Sequence, residues 1–559
     1  MSISNPNLPK LVLAFRAYTG EMFLHDLQAG ITVGLVALPL AMAFGIASGV
    51  TPQAGLYTAV VAGFLISALG GSRTQIGGPT GAFVVIVAGI VARFGMSGLA
   101  LVTLMAGIVL VLMGLTGLGA AVRFIPRMVV IGFTNGIAIL IASTQIKDFF
   151  GLRTGAVPSE FLPRIKLLVE HSASLNLSAL GLGLGTLAIL LVLPRFMKRV
   201  PASIIAVVAC TGVSILFHLP VETIGSKFGG IPRGFPPFAI PDFHAEHILP
   251  LIPSALTVAL LAALESMLSA VVADGMTGDR HNSNVELVAQ GIANIVSPVF
   301  GGIPATGAIA RTATNIRAGA RSPVSGMVAA LTLLLILLVA APLASYIPLA
   351  TLAAVLFVVA YNMGEWEEIG AILQMDLTAI SVWLVTFGLT VFADLTVAVG
   401  VGLGLAALLY IYRIAETTTV SPVTDEYIRD GLPHVLQGRI LPDYVTLLRI
   451  HGPFLFGTTE KLVEATVNVD AFAPVVILRL RNMTAIDATG IHAIESFAMR
   501  LHESGRTLLL CGAMEQPSKL LSGARFLDRV GRGNIMPNIK AALDRAKEVH
   551  AEQMDAMAS

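Results

Sequence analysis

Fourteen apolar stretches follow one another before residue 415, each bounded by glycine, proline or charge. Their lengths lie near the roughly 20 residues that cross a bilayer, or near the half of it that reaches the midplane. The first seven run at about 28–49, 53–70, 79–94, 97–119, 126–147, 175–194 and 200–218. A polar excursion through Pro220, Pro232, Pro236, Pro237 and Pro241 separates them from the second seven. Those lie at about 249–273, 284–301, 306–317, 323–345, 347–362, 377–393 and 395–413. An odd number of spans per half makes the second half enter the membrane from the opposite side, so the pattern predicts an inverted repeat. The predicted fold class is an α-helical polytopic membrane protein with 14 transmembrane segments in a 7+7 arrangement, followed by a small α/β domain.

Beyond Arg413 the period changes. Val435–Ile440, Val445–Ile450, Val475–Leu480 and Thr507–Leu510 read as short strands, and Gly490–Leu501 reads as a helix between them. The expected layout is an N-terminal segment over 1–25 and a transport domain over 26–414, with repeats of about 26–218 and 247–414. A linker over 415–434, marked by Thr417–Thr419, Ser421 and Pro422, leads to the α/β domain over 435–551. The first apolar run begins near Ala29 and fills a whole span without a small-residue cleavage site, so it reads as a retained helix. Before it, Leu11–Tyr18 reads either as a short interfacial helix or as a disordered tail.

Composition reinforces the pattern. Hydrophobic residues make up 55% of the 559 and charged residues 12%, against about 25% charged in soluble chains; the mean hydropathy is +0.82. Most of the chain therefore belongs in lipid. A net charge of +1 gives no footing for a nucleic-acid partner. Cys210 and Cys511 sit in unrelated apolar runs and read as buried small hydrophobes, and no metal-ligating or catalytic constellation is expected. An N-terminus in the cytosol puts twelve Lys and Arg on that side: Lys10, Arg16, Arg73, Arg123, Arg127, Arg195, Lys198, Arg199, Arg280, Arg317, Arg321 and Arg413. Seven fall outside: Arg93, Lys147, Arg153, Arg164, Lys166, Lys227 and Arg233. The bias favours N-in, and the even span count then puts the α/β domain in the cytosol too.

The third segment of each half is short and opens on a Gly/Pro breaker: Ile76-Gly77-Gly78-Pro79-Thr80-Gly81 and Gly301-Gly302-Ile303-Pro304-Ala305-Thr306-Gly307. Matching interrupted segments are the best sequence pointer to a midplane site. Two half-helices meeting by their N-termini aim free N–H groups at one point, which suits an anion. Arg311, one turn into the second half-helix, faces a cavity, a partner or a ligand, or else snorkels to the cytosolic side. Glu265 lies about eleven residues into its span. A carboxyl deprived of water favours its neutral form and can bind and release a proton, unless it is fixed in a static pair with Arg311. Ser269, one turn on, could share a proton or a cation. Glu286, Gln290 and Asn294 recur at i, i+4, i+8 and read first as interhelical glue, then as part of an ion path.

These residues resemble the SulP family of anion transporters, bacterial relatives of the mammalian sulfate and anion exchangers, over nearly the whole chain. The most specific matches are Leu38-Pro39-Leu40-Ala41-Met42-Ala43-Phe44, Gly55-Leu56-Tyr57, Gly78-Pro79-Thr80, Asn284 to Asn294, and Asn315-Ile316-Arg317-Ala318-Gly319. Asp274-Gly275-Met276-Thr277-Gly278 and Ala308-Ile309-Ala310-Arg311 look closest to the bacterial C4-dicarboxylate carriers of that family. The resemblance implies core and gate bundles, a homodimer and a C-terminal STAS domain. It implies a substrate contact at Thr80, an aromatic wall at Phe44, backbone facing the anion at Gly307, Ala308 and Ile309 beside Thr306, and positive charge from Arg311. Leu40 stands where some members carry glutamine, so a side-chain contact is in doubt there. Glu265 and Ser269 match the Asp and Thr that hold sodium in the cyanobacterial bicarbonate carrier. The glutamate, as in the dicarboxylate carriers, favours protons over sodium.

Asp487-Ala488-Thr489-Gly490 resembles the STAS segment that carries a phosphorylated Ser or Thr at the position of Thr489, although a helix N-cap is the plainer job for this residue. The expectation is a secondary carrier of the bacterial inner membrane, not an enzyme. It takes up C4-dicarboxylates such as succinate, fumarate or aspartate by alternating access, coupled to H+ or alternatively Na+, with no other cofactor. Bicarbonate or sulfate is the alternative substrate. From another class, a passive channel or a STAS-signalling sensor remains open, and the STAS domain could have a cytosolic protein partner.

Overall fold

In the computed structural model, residues 8–558 are described, apart from 17, 120–125, 156, 197–200, 240–247, 394, 424–440, 524–525 and 527–529. Two units, Met1–Gly404 and Leu405–Ser559, are taken in turn. The first half holds α1 (Lys10–Phe15), α2 (Gly20–Ala47), α3 (Pro52–Leu69), strand β1 (Gly77–Gly78), α4 (Gly81–Leu115), α5 (Arg127–Phe150), α6 (Phe161–Glu170), α7 (Leu177–Phe196), α8 (Ala202–Leu216) and α9 (Ile224–Phe228). The second holds α10 (Ile248–Thr277), α11 (Ser283–Val296), β2 (Thr306–Gly307), α12 (Ile309–Arg317), α13 (Val324–Ala344), α14 (Leu349–Met363), α15 (Trp366–Ile372), α16 (Leu377–Phe392) and α17 (Leu395–Thr417).

Among the described residues, eight helices are long and apolar enough to cross a bilayer, and two shorter apolar ones join them. α4 is broken at Gly95, whose φ of 69° lies outside helical space, so it supplies both the third and the fourth span. The expected span over 284–301 is α11 continued by a 3-10 turn over Ser297–Phe300. α6, α9 and α15 are short helices that apolar length does not reveal. Of the two alternatives for the N-terminal stretch, a helix forms. Lys10 ties it down through Asp279 at 2.8 Å, where Arg73 also docks at 3.1 Å. Burial alone would push the Asp279 carboxyl up. The hydrogen bonds from Lys10 and the backbone of Arg280, with the charges of Lys10 and Arg73, outweigh burial and hold it below its ordinary range. The tie is fully present above that range and is lost as pH falls through the depressed value.

Exchanging the halves maps contacts onto contacts: α4 packs on α11 as α13 packs on α3, and α5 on α16 as α14 on α7. These pairings separate a core bundle of α2, α3, α4 and α10–α13 from a gate bundle of α5, α7, α8, α14 and α16. Without a hydrophobic driving force between helices in lipid, close backbone approach holds such crossings. At the α4–α11 crossing, a Cβ on Gly107 would lie 2.7 Å from the Gly291 carbonyl, and one on Gly291 2.6 Å from that of Gly107.

Among the described residues, the second unit builds a five-stranded sheet in the order β3-β4-β5-β6-β7: Thr419–Pro422, Val445–His451, Val475–Asn482, Thr507–Cys511 and Ile535–Met536. Only β3 runs antiparallel. Helices α18 (Glu460–Ala465), α19 (Ala488–Glu503), α20 (Glu515–Leu521) and α21 (Ile539–Ala558) accompany it. Both faces of the central strands are buried: Val476 and Leu478 belong to one apolar cluster, Val475 and Ile477 to another. That is why these strands read as continuous apolar runs. The expected strand Val435–Ile440 lies outside the described residues, as do Arg123, Lys198 and Arg199. Of the linker expected over 415–434, residues 415–417 are helical and Thr419–Pro422 form the edge strand. Cys511 is buried in β6, which pushes its thiol up to about 11 despite the nearby Arg479.

Gly107→Val should destabilise the membrane unit by about 1–3 kcal/mol through overpacking. Gly185→Val is the control, since its added side chain meets open space. Thermal unfolding in detergent should separate the two; equal midpoints would show that the α4–α11 crossing does not need glycine.

Candidate anion site

β1 and β2 are two residues each, and they pair antiparallel with Gly77 opposite Gly307 and Gly78 opposite Thr306. Each is the lead-in to a half-helix, α4 or α12. Interrupted backbone in lipid must find its partners within the protein, and this pairing supplies them. Asn294 on α11 completes the accounting: its amide donates to the Ala305 carbonyl at 2.8 Å and accepts from the Ala305 N–H at 2.9 Å. Gln290 donates to Glu286 at 2.9 Å, and Glu286 accepts the N–H groups of Gly71 and Ser72. The Glu286–Gln290–Asn294 stripe is thus interhelical glue that seats the two lead-in loops.

Thr306 and Gly307, expected at the substrate, are turned to structural use. The Thr306 hydroxyl donates to the Ala262 carbonyl at 2.9 Å and meets Ser266 Oγ at 2.8 Å, while the Gly307 N–H donates to Ser266 Oγ at 3.1 Å. The Ala308 N–H donates to the Ile76 carbonyl at 2.8 Å. The backbone donors expected from Gly307 and Ala308 are therefore occupied, because the strand bridge and α10 consume them. Ala308 and Ile309 still line the cavity described next, at the first turn of α12, where helix N–H groups lack intrahelical acceptors.

That cavity, about 920 Å3, runs between core and gate from the half-helix N-termini to Gly119, His281 and Ser283. It brings together Phe44, Thr80, Glu265, Ala308, Ile309 and Arg311. Thr80 caps α4, and its buried Oγ1 has no hydrogen-bond partner among the described residues. Arg311 is 3% exposed and donates from Nη2 to the Pro79 carbonyl, which ties one half-helix to the lead-in of the other. It does not snorkel. Gly78, with φ 143°, makes room for this arginine: a Cβ there would lie 2.8 Å from Arg311 Nη1. Leu40 lines the wall and offers no hydrogen bond.

Glu265 is 9% exposed, and among the described residues no hydrogen bond or ion pair engages its carboxyl, so it is not in a static pair with Arg311. Ser269 on the same helix is fully buried and shares a hydrogen bond with Thr312 Oγ1 at 3.0 Å, which accepts the Ile76 N–H at 3.0 Å. Its hydroxyl therefore links α10 to α12 and, through Thr312, to the lead-in of α4. The gate's share of the wall, Arg127, Val130 and Thr134 from α5 with Asn362 and Met363 from α14, was not foreseen from sequence. The isolated Asn362 at the end of an apolar run is the only signal that could have pointed there.

Residues 23–386 match the sulfate permease family and residues 439–543 the STAS domain. The chain belongs to the sulfate permease family. YvdB of Bacillus subtilis, which carries the name of a sulfate transporter, is 42% identical over 93% of this chain and 97% of its own length. The bicarbonate transporter BicA of Picosynechococcus is 31% identical over 95% of each chain. The solved transmembrane domain of a cyanobacterial BicA superposes with a TM-score of 0.62 at 32% identity, over 70% of this chain and 98% of that one. Murine Slc26a9, solved in its inward-facing state, shares the fold with a TM-score of 0.86 at 18% identity, over 97% of this chain and 94% of that one. The protein is thus an anion transporter of this family with a STAS domain, and not an enzyme. YvdB and BicA are named for sulfate and bicarbonate, not for dicarboxylates.

In the STAS domain, Thr489 is not the N-cap. Asp487 caps α19, accepting the Gly490 N–H at 2.9 Å with one oxygen and the Phe456 N–H at 2.9 Å with the other. The two-oxygen carboxylate reaches both loop and helix, and Thr489 is left exposed in the first turn.

Gly78→Ala should displace the Arg311 guanidinium. The anion concentration for half-maximal thermal stabilisation of the purified protein should rise roughly tenfold, equivalent to about 1.4 kcal/mol. An unchanged midpoint concentration would mean that binding does not depend on where Arg311 stands.

Proposed function

We propose that this transporter takes up C4-dicarboxylates together with protons, by moving the core bundle against the gate bundle. The observation that carries the coupling is Glu265: a carboxyl without a partner among the described residues lines the same cavity as Thr80 and Arg311. While ionised, it repels an anion across a poorly screened space; protonation removes that repulsion, so proton and anion load together. A simple anion pore gains nothing from such a group, which weighs against the channel alternative.

The substrate class rests on the wall. Leu40, Phe44, Val130, Leu264 and Met267 give the cavity an apolar surface that a carbon backbone can cover, between donors at the half-helix end and a second polar group at Arg127, His281 and Ser283. A dicarboxylate places one carboxylate at Thr80 and Arg311, and its second meets a neutral Glu265 rather than a charged one once that group is protonated. The names of the relatives favour sulfate or bicarbonate as the second reading, and with it sodium as the coupling ion. In this account the N-terminus and STAS domain lie in the cytosol of a bacterial inner-membrane homodimer. The orientation rests on the twelve-to-seven bias of basic residues, and the dimer on the family resemblance. The cavity end at Arg127 and His281 then faces inward.

Glu265→Gln in proteoliposomes should abolish pH-driven succinate accumulation while succinate-induced thermal stabilisation survives. Unchanged accumulation would sink the coupling role. Wild-type vesicles should also show counterflow: preloaded unlabelled succinate should speed entry of labelled succinate, whereas a channel or a sensor shows no such trans-stimulation.

A further inference from the structure

α4 serves two cavities. Thr80 and Gly81 line the first at its N-terminus; Ile86, Ile90 and Arg93, farther along the same half-helix, line a second of about 440 Å3 at its other end. The neighbouring helices repeat this division. α5 contributes Thr134 to the first cavity and Leu140 to the second, and α10 contributes Leu264 and Ser254. Both cavities therefore lie on one seam between core and gate. On α4 only Ala82, Phe83 and Val84 separate the first lining from the second, about 6 Å of helix from Gly81 to Val85. Phe83, Val84, Ile137 and Ile141, at 1%, 0%, 0% and 0% exposure, occupy that interval. The seal is a single helical turn of apolar side chains.

The second cavity is a built chamber. Its loop wall over 158–163 is stapled to α5 by Arg164, which is 3% exposed. Arg164 donates to the carbonyls of Pro158, Ser159 and Leu140 and to Ser143 Oγ. Among the described residues no carboxylate pairs with it. Burial draws its guanidinium down to about 10, so it remains charged at neutral pH and projects positive potential through the wall. Phe161 meets Phe392 edge-on at 5.8 Å, which fixes the same loop to α16. The polar lining consists of Arg93, Ser159, Glu160, Ser254 and Thr390, whose hydroxyl donates to the Thr386 carbonyl.

We propose that this second cavity is an anion-capture chamber, from which the substrate passes to the half-helix site when the one-turn seal opens, and that Arg93 sets its affinity. Arg93 rides on the core half-helix that begins at Thr80, so the same rigid element carries both the capture group and the binding site. The inference rests on the transport reading. Its ligand is the small anion that the protein carries.

The test compares wild type, Arg93→Gln and Arg93→Lys in phosphatidylcholine vesicles. The substrate is whichever of succinate, sulfate or bicarbonate the wild type moves, and KM is measured from each side. Arg93→Gln should raise KM from the Arg93 side roughly tenfold at low ionic strength, an effect that shrinks as salt screens the chamber. The KM from the opposite side should stay within about twofold while the maximal rate toward the Arg93 side falls by the same factor as the KM rises, as an unchanged transport equilibrium requires, and Arg93→Lys should recover most of the loss. An unchanged KM from the Arg93 side overturns the proposal, as does an equal rise from both sides. A wild type that moves none of the three anions overturns the transport reading itself and is told apart by that result alone.

Discussion

The pairing of Gly77 and Gly78 with Gly307 and Thr306 is the contact on which the rest of the membrane unit depends. Two spans stop at the midplane, and stopping there leaves backbone groups that lipid cannot satisfy. Four residues of antiparallel strand resolve this and place the first turns of α4 and α12 beside one another. Several polar side chains are arranged around that bridge. Asn294 holds the lead-in at Ala305, Thr312 and Ser269 hold Ile76, Ser266 holds Gly307, and Arg311 closes the circuit at Pro79.

This arrangement divides the chemistry of a transporter from its scaffolding. Ser266, Ser269, Thr306 and Thr312 are hydrogen-bonded to one another in joining α10 to the bridge and to α12. Thr80 Oγ1 and the Glu265 carboxyl have no partners among the described residues, and both border the cavity. Arg311 does both jobs: one nitrogen binds a carbonyl, and the guanidinium still borders the cavity. A buried cation with no carboxylate paired to it among the described residues is costly, and in the proposed mechanism an entering anion relieves that cost.

Much of this was legible in the sequence because membrane spans are written in composition. Apolar length located the spans, and Gly78-Pro79 and Gly302-Ile303-Pro304 marked where two of them break. The i, i+4, i+8 stripe from Glu286 showed a polar helix face. What sequence could not show was which polar atoms were already spent. Thr306 and Gly307 sit in the right motif, yet their hydrogen bonds go to Ala262 and Ser266, a pairing that spans some forty residues and depends on the helix crossing. The gate lining escaped for a similar reason: Thr134 and Asn362 face the cavity only because α5 and α14 pack together. In the STAS domain, Asp487 and Thr489 are two residues apart and both suit a cap. The choice fell to the side chain that also reaches Phe456.

The central claim is that the anion sits where the two half-helices meet. A structure of the purified transporter with a bromine-labelled succinate, read by its anomalous signal, tests this most directly. The account predicts bromine density within the cavity, with a carboxylate between Thr80 and Arg311 at the first turns of α4 and α12. Density confined to the far end of that cavity, at Arg127 and His281, with the Thr80–Arg311 space filled only by water, would contradict it.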